Sequence, residues 1–182
     1  GILSRQRPLR IERRALPGRE EARAIIVAEF KDYVFAATHL SLTEEDRMAS
    51  LAIITEMARA SRKPFIIAGD MNAEPGSTFI GELEKDFHIC SKNAKSWPAC
   101  LDYIAAYKSY GDVKRPGADD EWANYRPYVG EPAVTLNAQV VNTQASDHRP
   151  IYADIVLPTP TAQLLTAQPY LQLATKTSMN VM

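Results

Sequence analysis

The chain has 182 residues, 46% of them hydrophobic, and its 21 lysines and arginines nearly balance its 22 aspartates and glutamates. A chain of this length can bury a sizeable core as one domain, while its balanced charge weakens the case for a dedicated nucleic-acid-binding or membrane-surface protein. No run of about 18 apolar residues is present, so the sequence predicts no transmembrane helix.

The first half of the chain alternates between strand and helix patterns. Residues 1–5 are predicted to belong to a first strand. The β-rich runs 24–30 and 33–38 are separated only by Lys31 and Asp32, which predicts a hairpin.

A helix is predicted from about Glu44 to Ala60, with Thr43 at the N-terminal capping position, followed by an acidic first turn. Apolar residues recur near helical spacing at Met48, Leu51, Ile54 and Ala58. A short buried strand, 65–68, follows. A second helix is then predicted from Ser77 or Thr78 to about Lys85.

The second half is less regular. The run 101–105 is predicted as a strand with one acidic residue near its start, and 108–132 as a long surface loop. Strand patterns resume at 133–141 and in the closing strand 151–157. Cys90 and Cys100 are compatible either with one disulfide or with two thiols, and the sequence does not choose between them.

Residues 158–182 follow a different pattern from the rest. Pro158 to Thr161 form a stiff linker of prolines and threonines. The segment 168–172 with 177–181 resembles the opening of the β-sandwich that precedes the catalytic domain in purple acid phosphatases. We therefore expect 158–182 to be a linker and the start of a following metallophosphatase-like domain, disordered when alone.

Three polar stretches stand beside strand-like runs, where a sheet edge could hold their side chains against a substrate. They are Thr38-His39-Leu40-Ser41, Gly69-Asp70-Met71-Asn72 and Ser146-Asp147-His148-Arg149-Pro150. Each also has a purely structural interpretation. Asp70 and Asn72 fit a turn in which both side chains cap backbone donors, His39 fits a buried strand residue, and Asp147-His148 fits a strand-entry turn.

Asp102 and a cluster of three charged residues near the start of the chain also have two interpretations each. Asp102 is either a site residue or a simple strand-edge carboxylate. Glu20, Glu21 and Arg23 precede a strand and could approach a substrate, although a solvated charge cluster is the better explanation.

Together with Leu101-Asp102-Tyr103-Ile104, the three stretches occur in the order found in the endonuclease/exonuclease/phosphatase superfamily, the Mg²⁺-dependent enzymes that resemble DNase I. The resemblance covers residues 1–157, and even Gly1-Ile2-Leu3-Ser4-Arg5 resembles the family's mid-domain strand. It implies an α/β fold, a four-layer α/β/β/α sandwich of two mixed β-sheets. It also implies a metal-dependent phosphoester hydrolase.

The resemblance also implies a role for each site residue. Asp70 would orient or deprotonate the attacking water, and Asn72 would donate a hydrogen bond to the pentavalent centre. His148 would contact the phosphate or move a proton, with Asp102 holding its ring in the useful tautomer. The remaining two are His39, on a phosphate oxygen from the opposite side, and Asp147, near the Mg²⁺ or Mn²⁺ ion.

One departure from the family pattern concerns the metal. The family's domain normally starts with two further strands that carry an Asn and the main metal-binding Glu, and neither segment precedes Gly1. Because Mg²⁺ is usually held by one or two carboxylates, this loss should weaken metal binding. We therefore expect the 182-residue chain, incomplete at its N-terminus, to be weakly active or inactive.

The substrate predicted from the sequence is a phosphomonoester or phosphodiester, small or lipid-derived rather than duplex DNA, because the chain lacks a Lys/Arg stripe. A DNase or apurinic-type endonuclease is the alternative within the enzyme class. A different alternative is a non-catalytic module that binds a phosphate ligand or a partner. A multidomain phosphatase with such a linker is expected to be exported, to the periplasm or the cell exterior.

Overall fold

The structure, a computed structural model, describes residues 1–92, 94, 96, 100–108, 133–143 and 145–157. Eight strands and two helices lie within these residues. The strands are β1 (Arg10–Leu16), β2 (Arg23–Glu29), β3 (Val34–His39), β4 (Phe65–Asp70), β5 (Phe87–Ile89), β6 (Asp102–Tyr107), β7 (Val134–Val140) and β8 (Ile151–Val156). The helices are α1 (Glu44–Ala60) and α2 (Thr78–Asp86).

Six of the strands form one mixed sheet in the order β1-β2-β3-β4-β6-β5. Its neighbouring strands run antiparallel except for β3 and β4, which are parallel. A parallel pair requires a crossover connection, and α1 provides it between β3 and β4. As a result β3 and β4 end, and β6 begins, at the same edge of the sheet.

Both helices cover one face of this sheet. Helix α1 buries Leu51, Ile54 and Ala58, and these residues join a core that includes alternate residues of the strands beneath, such as Val34 and Ile67. Helix α2 adds Phe79, Ile80 and Leu83 to the same core. The helical period predicted for α1 therefore marks the face that is buried.

The opposite face of the large sheet packs against a second sheet, formed by the antiparallel strands β7 and β8. Ile151, Ala153 and Ile155 alternate along β8 and point into this inter-sheet core, where they meet Ile66 and Ile104 from the large sheet. Strand β4 is buried on both faces, which explains its continuous apolar sequence. The two-sheet mixed α/β fold is the one predicted.

The elements agree with most of the predicted ones, and four corrections are needed. Residues 1–5 are not a strand: they pair with no described strand, and although Ile2 packs against the inter-sheet core, Leu3 is 98% exposed. Strand β1, which the sequence did not predict, begins only at Arg10. It is an exposed edge strand, and its arginines and glutamate give it no apolar pattern that would indicate a strand. Strand β5 was also missed, since it has three residues and follows α2 directly.

The fourth correction concerns the start of α1. The helix begins after Thr43 as predicted, but the Thr43 side chain makes no capping hydrogen bond to the helix. Its hydroxyl donates to the carboxylate of Glu20 instead. In α2 the predicted cap is confirmed, because the Ser77 side chain accepts from the Ile80 N–H.

Two predicted segments lie outside the described residues, namely nearly all of the loop 108–132 and the tail 158–182. Cys90 lies in the inter-sheet core and Cys100 in the core beneath the helices, and they form no disulfide with each other. None of the helices in the described part of the chain has the length and hydrophobicity needed to span a bilayer.

Candidate active site

Three neighbouring strands place a polar residue in one row at the same sheet edge. His39 is the last residue of β3, Asp70 the last of β4 and Asp102 the first of β6. The strand register pairs His39 with Asp70 and Asp70 with Asp102. Directly paired residues on neighbouring strands hold their side chains close together, so the sheet itself assembles this row.

The turn after β4 is fixed by two unusual backbone positions. Gly69 has a φ of +149°, and a Cβ at this position would lie 1.9 Å from the Thr38 carbonyl oxygen, so only glycine lets β4 lie this close to β3. Asn72 has a φ of 48°, a left-handed conformation that asparagine tolerates better than most residues. The turn is thus held in one shape next to Asp70.

Asp70 and Asn72 also use their side chains to shape this turn. Asp70 Oδ1 accepts from the Asn72 N–H at 2.8 Å, as the turn interpretation of the motif predicted. Asn72 Nδ2 donates to the Leu40 carbonyl at 2.8 Å and so ties the turn to the residue after His39. Because one Asp70 oxygen and one amide N–H of Asn72 remain available, the structural role does not exclude a chemical one.

His148 reaches the same edge from the segment before β8. Its Nδ1 lies 2.8 Å from Asp102 Oδ2 and 3.7 Å from Asp70 Oδ2. An ionised carboxylate can only accept, so Nδ1–H donates to Asp102 and Nε2 is the nitrogen free to face a ligand. The pairing of Asp102 with His148 that the sequence implied is present in the structure.

The charges at this edge shift two pKa values. Burial raises the pKa of Asp70, and repulsion from Asp102 adds to the shift, while the Asn72 N–H and the two nearby histidines oppose it. For His148, burial opposes the charged ring, but the hydrogen bond to Asp102 and the charges of Asp102, Asp70 and Asp147 outweigh burial and raise the pKa. These shifts make the Asp70 carboxylate a stronger base and favour the charged form of the His148 ring.

His39 and Asp147 lie at the rim of the site. His39 Nε2 is 3.5 Å from Asp70 Oδ2 and its side chain is 58% exposed, so the buried-strand interpretation of His39 is wrong. The exposed carboxylate of Asp147 accepts from the Ser146 hydroxyl at 3.0 Å and from the His148 N–H at 3.1 Å. Its predicted contact with a metal ion stays a prediction.

Asp70, Asp102 and His148 are close enough together to hold a cation. They each offer a ligand atom, and these atoms lie within 4.8 Å of one another. Carboxylate oxygens suit hard divalent cations such as Mg²⁺ and Mn²⁺, and a cation here would offset the repulsion between Asp70 and Asp102. His148 Nδ1 is already used by Asp102, so the carboxylates are the better ligands.

The solvated charge cluster that the sequence favours is present only in part, because Glu20 and Glu21 are exposed but Arg23 is buried. The Glu20 carboxylate accepts from the hydroxyls of Ser41, at 2.6 Å, and Thr43. The Arg23 side chain is only 5% exposed and pairs with Glu21 at 2.7 Å. Ser41 belongs to the His39 stretch, but the sequence indicates no role for it. Its position after the strand end was the available signal, but its partner could not be found from sequence spacing.

This fold and this site define a class, the phosphoesterases and nucleases with a DNase I-like α/β architecture. The model of the Endonuclease/Exonuclease/phosphatase family matches residues 1–148, and the chain belongs to that family. Members of the family are hydrolases that generally use divalent metals. No curated protein sequence matches the chain significantly.

Solved structures share the fold. A conserved protein of unknown function from Enterococcus faecalis V583 has a TM-score of 0.60 at 15% identity, with 81% of this chain and 66% of that one covered. An endonuclease/exonuclease/phosphatase from Bacteroides vulgatus has a TM-score of 0.55 at 18% identity, with 75% of this chain and 56% of that one covered. A mannosyl-6-phosphatase from Bacteroides thetaiotaomicron has a TM-score of 0.53 at 14% identity, with 82% of this chain and 66% of that one covered. This chain thus spans at most 66% of these three structures, and such identities establish the fold alone.

Proposed function

We propose that this chain carries catalytic residues of a metal-dependent phosphoesterase that hydrolyses a phosphomonoester or a phosphodiester. The observation that supports the proposal is the convergence of His39, Asp70, Asp102 and His148 at one sheet edge, with His148 Nδ1 2.8 Å from Asp102 Oδ2. Like charges placed opposite each other are unfavourable for a sheet, so a purely structural edge has no use for this arrangement.

Phosphoester hydrolysis needs a positioned water, stabilisation of charge on the phosphoryl oxygens and help for the leaving oxygen. Asp70 Oδ1 is held by the Asn72 N–H, so Oδ2 is the oxygen that orients or deprotonates the attacking water. Burial raises the pKa of Asp70, which makes its carboxylate a stronger base than an ordinary exposed one.

His148, Asn72 and His39 supply the groups that face the phosphate. With Nδ1–H donated to Asp102, His148 presents Nε2 to a phosphoryl or leaving oxygen, and its raised pKa favours the protonated, donating form. Asn72 Nδ2 uses one N–H for the Leu40 carbonyl and keeps the second for the developing charge. His39 approaches from the opposite side of Asp70.

The proposed cofactor is Mg²⁺ or Mn²⁺, which the carboxylates of Asp70 and Asp102 would hold, with Asp147 near the ion. When bound, the cation would neutralise negative charge on the phosphoryl oxygens. The substrate we favour is small or lipid-derived. The charge of the chain is balanced, so it would gain little affinity for DNA from the release of counterions.

The test is hydrolysis of p-nitrophenyl phosphate and bis(p-nitrophenyl) phosphate with Mg²⁺, with Mn²⁺ and with EDTA. His148→Ala is compared with His88→Ala, which removes a histidine on β5 outside the group of site residues. We expect metal-dependent turnover in the wild type and in His88→Ala, and its loss in His148→Ala. Turnover that survives His148→Ala overturns the site assignment, and turnover in EDTA overturns the metal dependence.

The same assay separates the alternatives. Cleavage of DNA in preference to both small esters, falling steeply as salt is added, would favour the nuclease alternative. Binding of inorganic phosphate that His148→Ala abolishes, without turnover under any metal condition, would favour the non-catalytic binding module.

A further inference from the structure

The loop between β3 and α1, residues 40–43, joins His39 to the first helix and is bound from several directions. Ser41 is fully buried, and its hydroxyl donates to Glu20 Oε2 at 2.6 Å while accepting from the Thr43 N–H at 3.0 Å. The other oxygen of Glu20 accepts from the Thr43 hydroxyl. One carboxylate from the β1–β2 connection therefore binds both hydroxyls of the loop.

Two residues of the first turn of α1 complete these contacts. Asp46 Oδ2 accepts from the backbone N–H of Arg19 at 2.9 Å, and Asp46 Oδ1 pairs with the Arg19 guanidinium at 3.0 Å. Arg47 donates to the carbonyls of Ser41, at 3.2 Å, and Leu42, at 2.7 Å. The β1–β2 connection, the loop and the helix start are thus joined by side chains. We call Arg19, Glu20 and Asp46 the loop clamp.

The loop that the clamp holds carries the acceptor for a site residue. Leu40 donates its N–H to the Asp70 carbonyl at 2.9 Å and accepts from Asn72 Nδ2 at 2.8 Å. Asn72 stays in a left-handed conformation, which requires its surroundings to hold it there. A shift of the loop would therefore move Leu40 and release the Asn72 side chain.

We propose that Glu20 is a positioning residue of the site, which acts through Ser41 and Leu40 to orient Asn72 and the neighbouring His39. The inference rests on the proposed function and deepens it, since Glu20 is bound to Ser41 and Thr43 and would act on the site through them. Its contribution is geometric. A displacement of about 1 Å at a site can lower the rate about a hundredfold.

The variants distinguish hydrogen bonding from charge. Glu20→Ala removes both acceptors, whereas Glu20→Gln keeps an oxygen for one hydroxyl and an amide for the other. Glu44→Gln is the matched control, because it removes a carboxylate from the first turn of α1 without touching the loop clamp. Ser41→Ala removes the partner hydroxyl, so a double-mutant cycle with Glu20→Ala reports whether the two residues act together.

The first readout is the Asn72 side-chain amide pair in a ¹⁵N spectrum, assigned by its disappearance in Asn72→Asp. We expect Glu20→Ala and Ser41→Ala to shift this pair toward the position of solvent-exposed amides and to speed its hydrogen exchange. Glu20→Gln and Glu44→Gln should leave it unchanged. An unchanged pair in Glu20→Ala overturns the proposal, and this result does not depend on any activity.

The second readout is hydrolysis of bis(p-nitrophenyl) phosphate. Glu20→Ala should lower kcat tenfold to a hundredfold with KM within about twofold, and Glu20→Gln should recover most of the loss. Additive effects in the double-mutant cycle overturn the link through Ser41. If the wild type shows no turnover with any metal, the proposed function fails, while the amide signals still decide the role of Glu20.

Discussion

Asp70 and Asp102 lie directly opposite each other on the neighbouring strands β4 and β6. Two like charges in such a pair disfavour the sheet, and the structure relieves them only partly, through His148 and His39. Their repulsion contributes to the raised pKa of Asp70. The sheet edge therefore gives up stability at the place where we assign the chemistry, as functional sites commonly do.

The first prediction follows from this conflict. Asp70→Asn should stabilise the fold by about 0.5–1 kcal/mol at pH 7 and abolish hydrolysis, because it removes one of the two opposed charges. A raised pKa in the folded state means that ionisation of Asp70 costs stability. The gain should therefore disappear as the pH falls below the ordinary value of 3.8 and both states bind the proton.

Urea denaturation at pH 7 and pH 3 measures this difference. Asp154→Asn is the control, because Asp154 on β8 faces Asn137 across the strand pair rather than another carboxylate. Equal stability of Asp70→Asn and the wild type at pH 7 would contradict the prediction.

The second prediction concerns the Asp102–His148 pair. Asp102→Asn keeps an acceptor oxygen but removes the negative charge that helps to outweigh burial, so the pKa of His148 should fall, and kcat/KM should drop about a hundredfold or more. In the wild type the pair of charged His148 with Asp102 stabilises the folded state fully at pH values below about 6.5, the pKa of a histidine in the unfolded chain. This stabilisation is lost as the pH rises through the folded value. Titration of the His148 ring signals by NMR reads out the shift, and an unshifted ring would contradict the assigned pairing.

Much of the site could be predicted from the sequence because its residues directly adjoin strongly patterned strands. The apolar run before Asp70 and the β-rich run before His39 fix where those residues stand along the chain. The register that brings His39, Asp70 and Asp102 into one row could not be predicted, because strand pairing depends on contacts between residues far apart in sequence.

The missed features have a common cause. The charged sequence of β1 conceals an edge strand, since alternation of apolar and polar residues is the signal for a half-buried strand and β1 is mostly exposed. Glu20 is exposed, as a solvated charge would be, but nothing in its local sequence indicates Ser41 as its partner, 21 residues away. Long-range hydrogen bonds of this kind leave no periodic pattern.

The third prediction uses the left-handed backbone at Asn72. Asn72→Ala and Asn72→Gly both remove the bond to Leu40 and should lose activity to the same degree. Asn72→Gly should nevertheless be more stable than Asn72→Ala by about 1 kcal/mol, because glycine adopts a φ of 48° without strain. Thermal unfolding of the two variants makes the comparison. Equal stabilities would show that the turn relaxes.

The fourth prediction concerns Gly69. Gly69→Ala should destabilise the fold by about 3 kcal/mol or more, because the added Cβ would lie 1.9 Å from the Thr38 carbonyl in a backbone conformation that alanine rarely adopts. Gly81→Ala is the matched control, since a Cβ there has nothing within 4 Å and the position is helical. Chemical denaturation of both variants should show a loss only for Gly69→Ala.

The last prediction concerns acid stability and the loop clamp. The hydrogen bonds from Ser41 and Thr43 lower the pKa of Glu20 to about 2 from an ordinary value of 4.5. A lowered folded-state pKa means that Glu20 stabilises the fold fully above pH 4.5 and loses this contribution as the pH falls toward 2. Glu20→Gln cannot titrate, so its stability should depend less on pH than that of the wild type across this window. Parallel acid titrations followed by circular dichroism test this, and identical pH profiles would show that the Glu20 hydrogen bonds do not persist in solution.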